Sequence, residues 1–156
     1  LENTLRDELP PWELFLDSFM ELSYKNSEKS RRLLKYILSK IDQYYRDTDE
    51  EIIDFSNVNI EHILPRNPKS WGLTKSQIKT YVNKLGNLTL LSTKINSKLQ
   101  NKPISEKIEI LKESNLPITK ELVRTLEYNN LKWTEHEIME RQKQMARLAY
   151  EKIWKF

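Results

Sequence analysis

Two histidines, no cysteine and a small set of carboxylate and carboxamide side chains bound the chemistry open to this 156-residue chain. Glu61 and His62 are adjacent, Asn87 follows 25 residues after His62, and Asn96 comes nine residues beyond Asn87. A neutral imidazole, with an unperturbed pKa of roughly 6.5, can accept a proton from water near pH 7. Carboxylate and amide oxygens suit a hard divalent cation. Without cysteine, disulfides, thiol catalysis and Cys-ligated zinc are excluded, and two histidines cannot form a three-His metal site unaided.

These residues lie in a charged setting. Residues 1–60 hold 8 basic and 13 acidic side chains, residues 61–120 hold 11 and 4, and residues 121–156 hold 7 and 6. The middle third is a cationic segment, an electrostatic footprint for phosphate or, more plainly, a solvated lysine-rich face. With 38% hydrophobic residues the chain is globular, and no apolar run approaches the roughly 18 residues of a membrane span. With no secretory signal visible, a cytoplasmic protein with no membrane partner is expected. The first residue is Leu1 and nothing there resembles a processing site, so the chain reads as a piece of a longer polypeptide.

The elements that must position the group are mostly helical. Trp12, Phe15, Leu16, Phe19 and Met20 follow one stripe after Pro10-Pro11 and predict a helix from about 11 to 24. A second is predicted from about 28 to 46, with Leu33, Leu34, Tyr36, Ile37, Ile41 and Tyr44 inward and Arg31, Arg32 and Lys35 near its start; the acidic run 47–51 ends it. Residues 58–65 alternate, are β-branched and stop at Pro65, as a short strand does. A short helix over 74–84, a turn at Gly86, a second strand and a helix over 93–100 capped by Ser92 follow. Pro103 and Ser105 open a helix to about 113, Thr119 another to about 128, and the capping-box spacing of Thr134 and Glu137 starts a last one reaching about Trp154. The order strand, insertion, strand, helix is a ββα unit that can bring His62, Asn87 and Asn96 together.

The strings Ile60-Glu61-His62-Ile63-Leu64-Pro65 and Leu85-Gly86-Asn87-Leu88-Thr89-Leu90-Leu91, followed by Asn96, resemble the HNH branch of the His-Me finger (ββα-metal) nucleases. More narrowly, the chain resembles the C-terminal nuclease domain of GmrSD-type modification-dependent restriction endonucleases. That likeness extends from Ser30 to the C-terminus through Arg32-Leu33-Leu34-Lys35-Tyr36-Ile37-Leu38, Asn101, Lys102, Pro103, Lys107, Trp133, Arg141 and Trp154. It implies an α+β, mostly helical fold with a ββα-metal motif embedded in it: a helical support region over 1–54, the nuclease core over 55–102 and C-terminal helices over 103–156. It also implies a metal-dependent DNA endonuclease, the effector of a restriction or anti-phage defence system, working beside an upstream ParB-like nucleotide-hydrolysing domain. His62 matches the general base and Asn87 the middle asparagine of the catalytic pattern, which fixes the ring through the backbone near it. Glu61 and Asn96 match the ligands of one Mg²⁺, or another divalent cation such as Mn²⁺.

Consecutive strand residues point to opposite faces, so Glu61 and His62 share one metal only if the strand end is irregular, as Pro65 would make it. Lys94, Lys98, Lys107 and Arg141 are candidate phosphate contacts, joined by Lys69, Lys75, Lys79 and Lys84, which would position DNA without reading it. Lys107 reads nearly as well as an ordinary surface lysine. Arg141, on the inward stripe of Ile138, Met145, Leu148 and Ala149, needs an internal carboxylate or a route to phosphate. Asn87 after Gly86 could be only a turn residue, Asn101 is expected to cap, His136 to be solvated, and the four Trp to anchor the core. The alternatives to a nuclease are a non-catalytic nucleic-acid-binding module on the same framework, and a helical interaction scaffold in which 61–101 is incidental.

Overall fold

In a computed structural model, which describes residues 10–46 and 55–154, the chain is mostly helical with one small antiparallel sheet. Helix α1, Trp12–Met20, follows the Pro10-Pro11 pair. It ends four residues before the predicted limit because the next segment bonds elsewhere: Leu85 N–H donates to the Leu22 carbonyl (3.2 Å), Tyr24 N–H to the Asn83 carbonyl (2.6 Å), and Ser23 bridges Lys84. Helix α2, Glu28–Tyr45, is capped by Ser27. Its buried stripe is Leu34, Ile37, Leu38 and Ile41, at offsets of three, four and seven. Leu33, Tyr36 and Tyr44, expected to face inward, lie off that stripe and are exposed. The acidic run 47–51 lies outside the described residues.

Strand β1, Val58–His62, pairs antiparallel with β2, Leu88–Ser92, in a register running from Val58 opposite Ser92 to His62 opposite Leu88. Between them sits the one-turn helix α3, Lys75–Ile78, with a complete capping box from Thr74 and Gln77. The predicted helix over 74–84 stops there because residues 82–84 turn back to meet 23–24. A tight turn at Leu85–Asn87 enters β2, and Ser92 caps helix α4, Thr93–Leu99, its side chain accepting from Ile95 N–H (3.3 Å). Three helices follow: α5 (Ile104–Leu111), α6 (Pro117–Tyr128) and α7 (Glu135–Leu148), the last opened by the Thr134–Glu137 capping box and closed by a π-helical turn, Ala149–Ile153. Helix α6 begins at Pro117, a favoured first position, rather than at Thr119. The Thr119 hydroxyl instead donates to the Leu90 carbonyl of β2 (2.6 Å).

The sheet separates two apolar clusters. One gathers Phe19, Leu34, Leu38, Val58, Leu88, Leu90 and Met145; the other gathers Ile63, Leu64, Leu91, Leu99, Leu122, Leu126 and Ile138. Each fully buried aliphatic side chain contributes roughly 1.5–3 kcal/mol, so β1 and β2 are held from both faces. At the turn before β2 only glycine fits: a Cβ on Gly86 would stand 2.0 Å from the Ile138 carbonyl oxygen of α7. No described helix is long and apolar enough to cross a membrane.

Candidate active site

His62 closes β1 as a regular strand residue opposite Leu88, with 8% of its surface exposed. Its Nε2 lies 3.0 Å from Asn83 Oδ1. An amide oxygen only accepts, so Nε2 carries the hydrogen and donates, which leaves the lone pair of the neutral ring on Nδ1. Tyr24 meets the imidazole edge-on with centroids 5.0 Å apart, and the Arg66 guanidinium lies over the Tyr24 ring at 5.5 Å. Burial lowers the His62 pKa to about 4, with Arg66 and Lys107 adding to the effect and the Asn83 hydrogen bond opposing it. At neutral pH the ring is therefore uncharged, as a proton acceptor must be.

Because β1 is regular through His62, Glu61 points to the other face. There the buried Lys107 ammonium stands 3.6 Å from its carboxylate and donates to the carbonyls of His62 (3.0 Å) and Ile63 (2.9 Å). Desolvation raises the Glu61 pKa and lowers that of Lys107, each against the pull of the other's charge. The expected irregular strand end is absent, and Pro65 falls after the pairing has already finished. Helix α4 covers this same face: Asn59 Nδ2 donates to Thr93 Oγ1 (2.9 Å). Asn96 lies one turn beyond Thr93, and its Oδ1 is buried with no hydrogen-bond partner. A buried amide oxygen without a donor costs roughly 1–3 kcal/mol, and an oxygen of this type is chemically suited to a hard divalent cation.

Asn87 spends its whole side chain on scaffolding. Its Oδ1 accepts from Leu64 N–H (2.9 Å) and Trp133 Nε1–H (2.9 Å); its Nδ2 donates to the Leu64 carbonyl (2.9 Å) and the Val82 carbonyl (2.8 Å). It ties the chain just after His62 to the turn before β2 and to Trp133, two residues before α7. That makes it a positioning residue with no valence left for a substrate.

Two of the expected phosphate contacts lie elsewhere. Lys107 is wholly buried, held by two carbonyls and Glu61, because the end of β1 needs donors for carbonyls that no strand pairs. Arg141 is 8% exposed and donates through Nη1 to the carbonyls of Gly86 (2.8 Å) and Leu88 (2.6 Å), clamping α7 to the turn. Lys84 likewise donates to the Met20 carbonyl (2.8 Å). Lys94 is exposed on α4; Lys98 is exposed too and bonds Glu113 (2.9 Å). His136 is solvated. A cavity of about 610 Å³ between α6 and α7, lined by carboxylates such as Glu121 and Glu140 and by cations such as Arg124 and Lys132, does not include His62, Glu61 or Asn96.

Asn83, Tyr24 and Arg66 form the surroundings of His62 without having been signalled. Asn83 lay inside a predicted helix and Tyr24 at the end of another, so their approach depends on chain segments that leave the helical path. Arg66, four residues after His62 in a polar loop, offered the one local hint.

No curated protein and no solved structure matches the chain. The family model for the C-terminal domain of the GmrSD restriction endonucleases, by contrast, matches residues 12–148, which take in β1, β2, α4 and every residue of the site. Over that span, and with the imidazole, the scaffolding asparagine and the orphaned amide all within it, the chain belongs to the GmrSD restriction endonuclease C-terminal domain family.

Proposed function

We propose that the chain is a metal-dependent, HNH-type DNA endonuclease domain built on a ββα-metal finger, in which His62 is the general base and Asn96 is the anchor of a divalent cation. The observation that carries this reading is the buried, unpartnered Oδ1 of Asn96 beside the strand that ends in a neutral His62. Membership of a restriction endonuclease family makes DNA the substrate class. Glu61 shares the α4 side of β1 with Asn96, and its carboxylate can join the ion when the ion's charge outweighs that of Lys107. Oxygen donors of this kind fit Mg²⁺ or Mn²⁺, although no three His, Asp or Glu side chains cluster as ligands among the described residues. Bound there, such an ion would neutralise charge on the scissile phosphate and the departing 3′ oxygen.

The chain's own residues do the rest. Asn83 holds Nε2–H, so Nδ1 faces the attacking water and takes its proton. Asn87 and Lys107 fix the backbone on either side of that ring through Leu64 and through the carbonyls of His62 and Ile63. Lys94 and Lys98 on α4 are the phosphate contacts this end of the molecule offers. The products are 5′-phosphate and 3′-hydroxyl ends, cut as the effector step of restriction and anti-phage defence, with the target chosen by a ParB-like nucleotide-hydrolysing partner.

Plasmid nicking with Mg²⁺ and with EDTA tests the reading. The parent chain nicks only with Mg²⁺, and His62→Ala loses about 10²–10⁴-fold in rate while still binding DNA. Equal cutting by His62→Ala removes His62 as the base. Binding without metal-dependent cutting, in the parent chain joined to its partner, returns the molecule to the non-catalytic alternative.

A further inference from the structure

Among the described residues the sheet has two strands, so β1 pairs with β2 along one edge and with no described strand along the other. That second edge forms the floor of a groove of about 440 Å³. One wall is α4, presenting Asn96; the other is the start of α2, presenting Arg31, Arg32 and Lys35, with Tyr24 at the end nearest His62. The groove therefore carries a wall of three cations and, in the same lining, Asn96 with its orphaned amide and the Tyr24 ring that meets His62. Glu28 is the one carboxylate among the described residues that line it, and it is occupied by Arg32 at 3.1 Å.

We infer that this groove holds the sugar-phosphate backbone of the DNA strand next to the scissile bond, and that Arg31, Arg32 and Lys35 are its phosphate contacts. The inference rests on the nuclease reading above and adds to it the path of the substrate. Arg31 and Lys35 are four residues apart, one helical turn, and share a flank of α2 next to the buried stripe of Leu34 and Leu38. The bonds that engage the arginines are weak competitors: the Arg32–Glu28 pair is exposed at 76% and 79%, and Arg31 donates to Asn26 at the surface. Exposed pairs of this kind contribute about 0–1 kcal/mol, so a phosphate can displace them. Arg66, lying over the Tyr24 ring at 5.5 Å, extends the same positive field to His62.

Anisotropy of a labelled DNA duplex in EDTA, titrated with chain at several salt concentrations, decides the matter. Each phosphate contact adds about 0.9 to the slope of log K against log salt. The variant R31A/R32A/K35A should bind about tenfold or more weakly than the parent, with a slope smaller by about 2–3. The control K112A/K120A/R124A, which removes the same charge around a separate cavity, should stay within about twofold of the parent. If the triple variant fails to fold, the single variants R31A, R32A and K35A should each lower the slope by about 1. Parent-like affinity and slope in these variants overturn the groove alone. A parent chain with no DNA affinity overturns the DNA reading and takes the groove with it.

Discussion

Burial keeps the His62 imidazole uncharged at neutral pH. A folded pKa near 4 against an ordinary 6.5 keeps Nδ1 unprotonated through the neutral range, at the cost of some proton affinity. The same shift links folding to pH. Between about pH 4 and 6.5 the unfolded chain binds more protons than the folded one, so stability rises with pH there. The His62 contribution is fully present above about 6.5 and lost as pH falls towards 4, with a ceiling on the order of 3 kcal/mol. Glu61, whose pKa is raised, works in the opposite sense, its share being lost as pH rises through its folded value. Comparing variants cancels that term. Asn83→Asp puts a carboxylate on Nε2–H and raises the folded pKa of His62. Urea unfolding from pH 4.5 to 7 should therefore show a flatter slope in Asn83→Asp than in the parent. Identical slopes would detach Asn83 from the imidazole.

At the scale of elements, the end of β1 is held by side chains rather than by a further strand. Lys107 reaches from α5 to the carbonyls of His62 and Ile63, Asn87 reaches from the 85–87 turn to both polar groups of Leu64, and Arg141 reaches from α7 to Gly86 and Leu88. Three charged or amide groups are thus consumed in placing one imidazole. Removing the Lys107 ammonium leaves two carbonyls without their donor and the largely buried Glu61 carboxylate without its nearest counter-charge. Lys107→Ala should lose roughly 3–5 kcal/mol of unfolding free energy in denaturant titrations. An ordinary surface lysine would cost less than about 0.5 kcal/mol, and a loss that small would show that the buried pair is not formed in solution.

For the whole molecule, the distribution of charge in space differs from its distribution along the chain. The first 60 residues carry a net negative charge, yet they supply Arg31, Arg32 and Lys35 to the groove at β1. The cationic middle third, for its part, buries Lys107 and ties down Lys84 and Lys98. The region read as helical support thus faces the site. A cation bound at Asn96 by the folded chain alone stabilises the whole fold, by about 2.7 kcal/mol when present at 100 times its dissociation constant. Mg²⁺ or Mn²⁺ should therefore raise the melting temperature of the parent and leave that of Asn96→Ala unmoved. Equal rises in both would place the ion elsewhere.

Local rules were enough for much of this. Capping residues at Ser27, Thr74, Ser92 and Thr134, the alternation before Pro65 and the stripe of α2 set the elements and their order, because caps, turns and periodicity act within a few residues. The motif residues Glu61, His62, Asn87 and Asn96 were legible for a similar reason: they sit on one short run of consecutive elements. What only the tertiary structure decided is who stands next to whom. Asn83 meets His62 because residues 22–24 and 83–85 abandon their helices to bond each other. Lys107 and Arg141 looked like cations for phosphate until packing turned them towards carbonyls left bare at strand ends. A side chain's charge is written in its chemistry, but its partner is set by contacts between distant segments, and those depend on how the two apolar clusters close around the sheet.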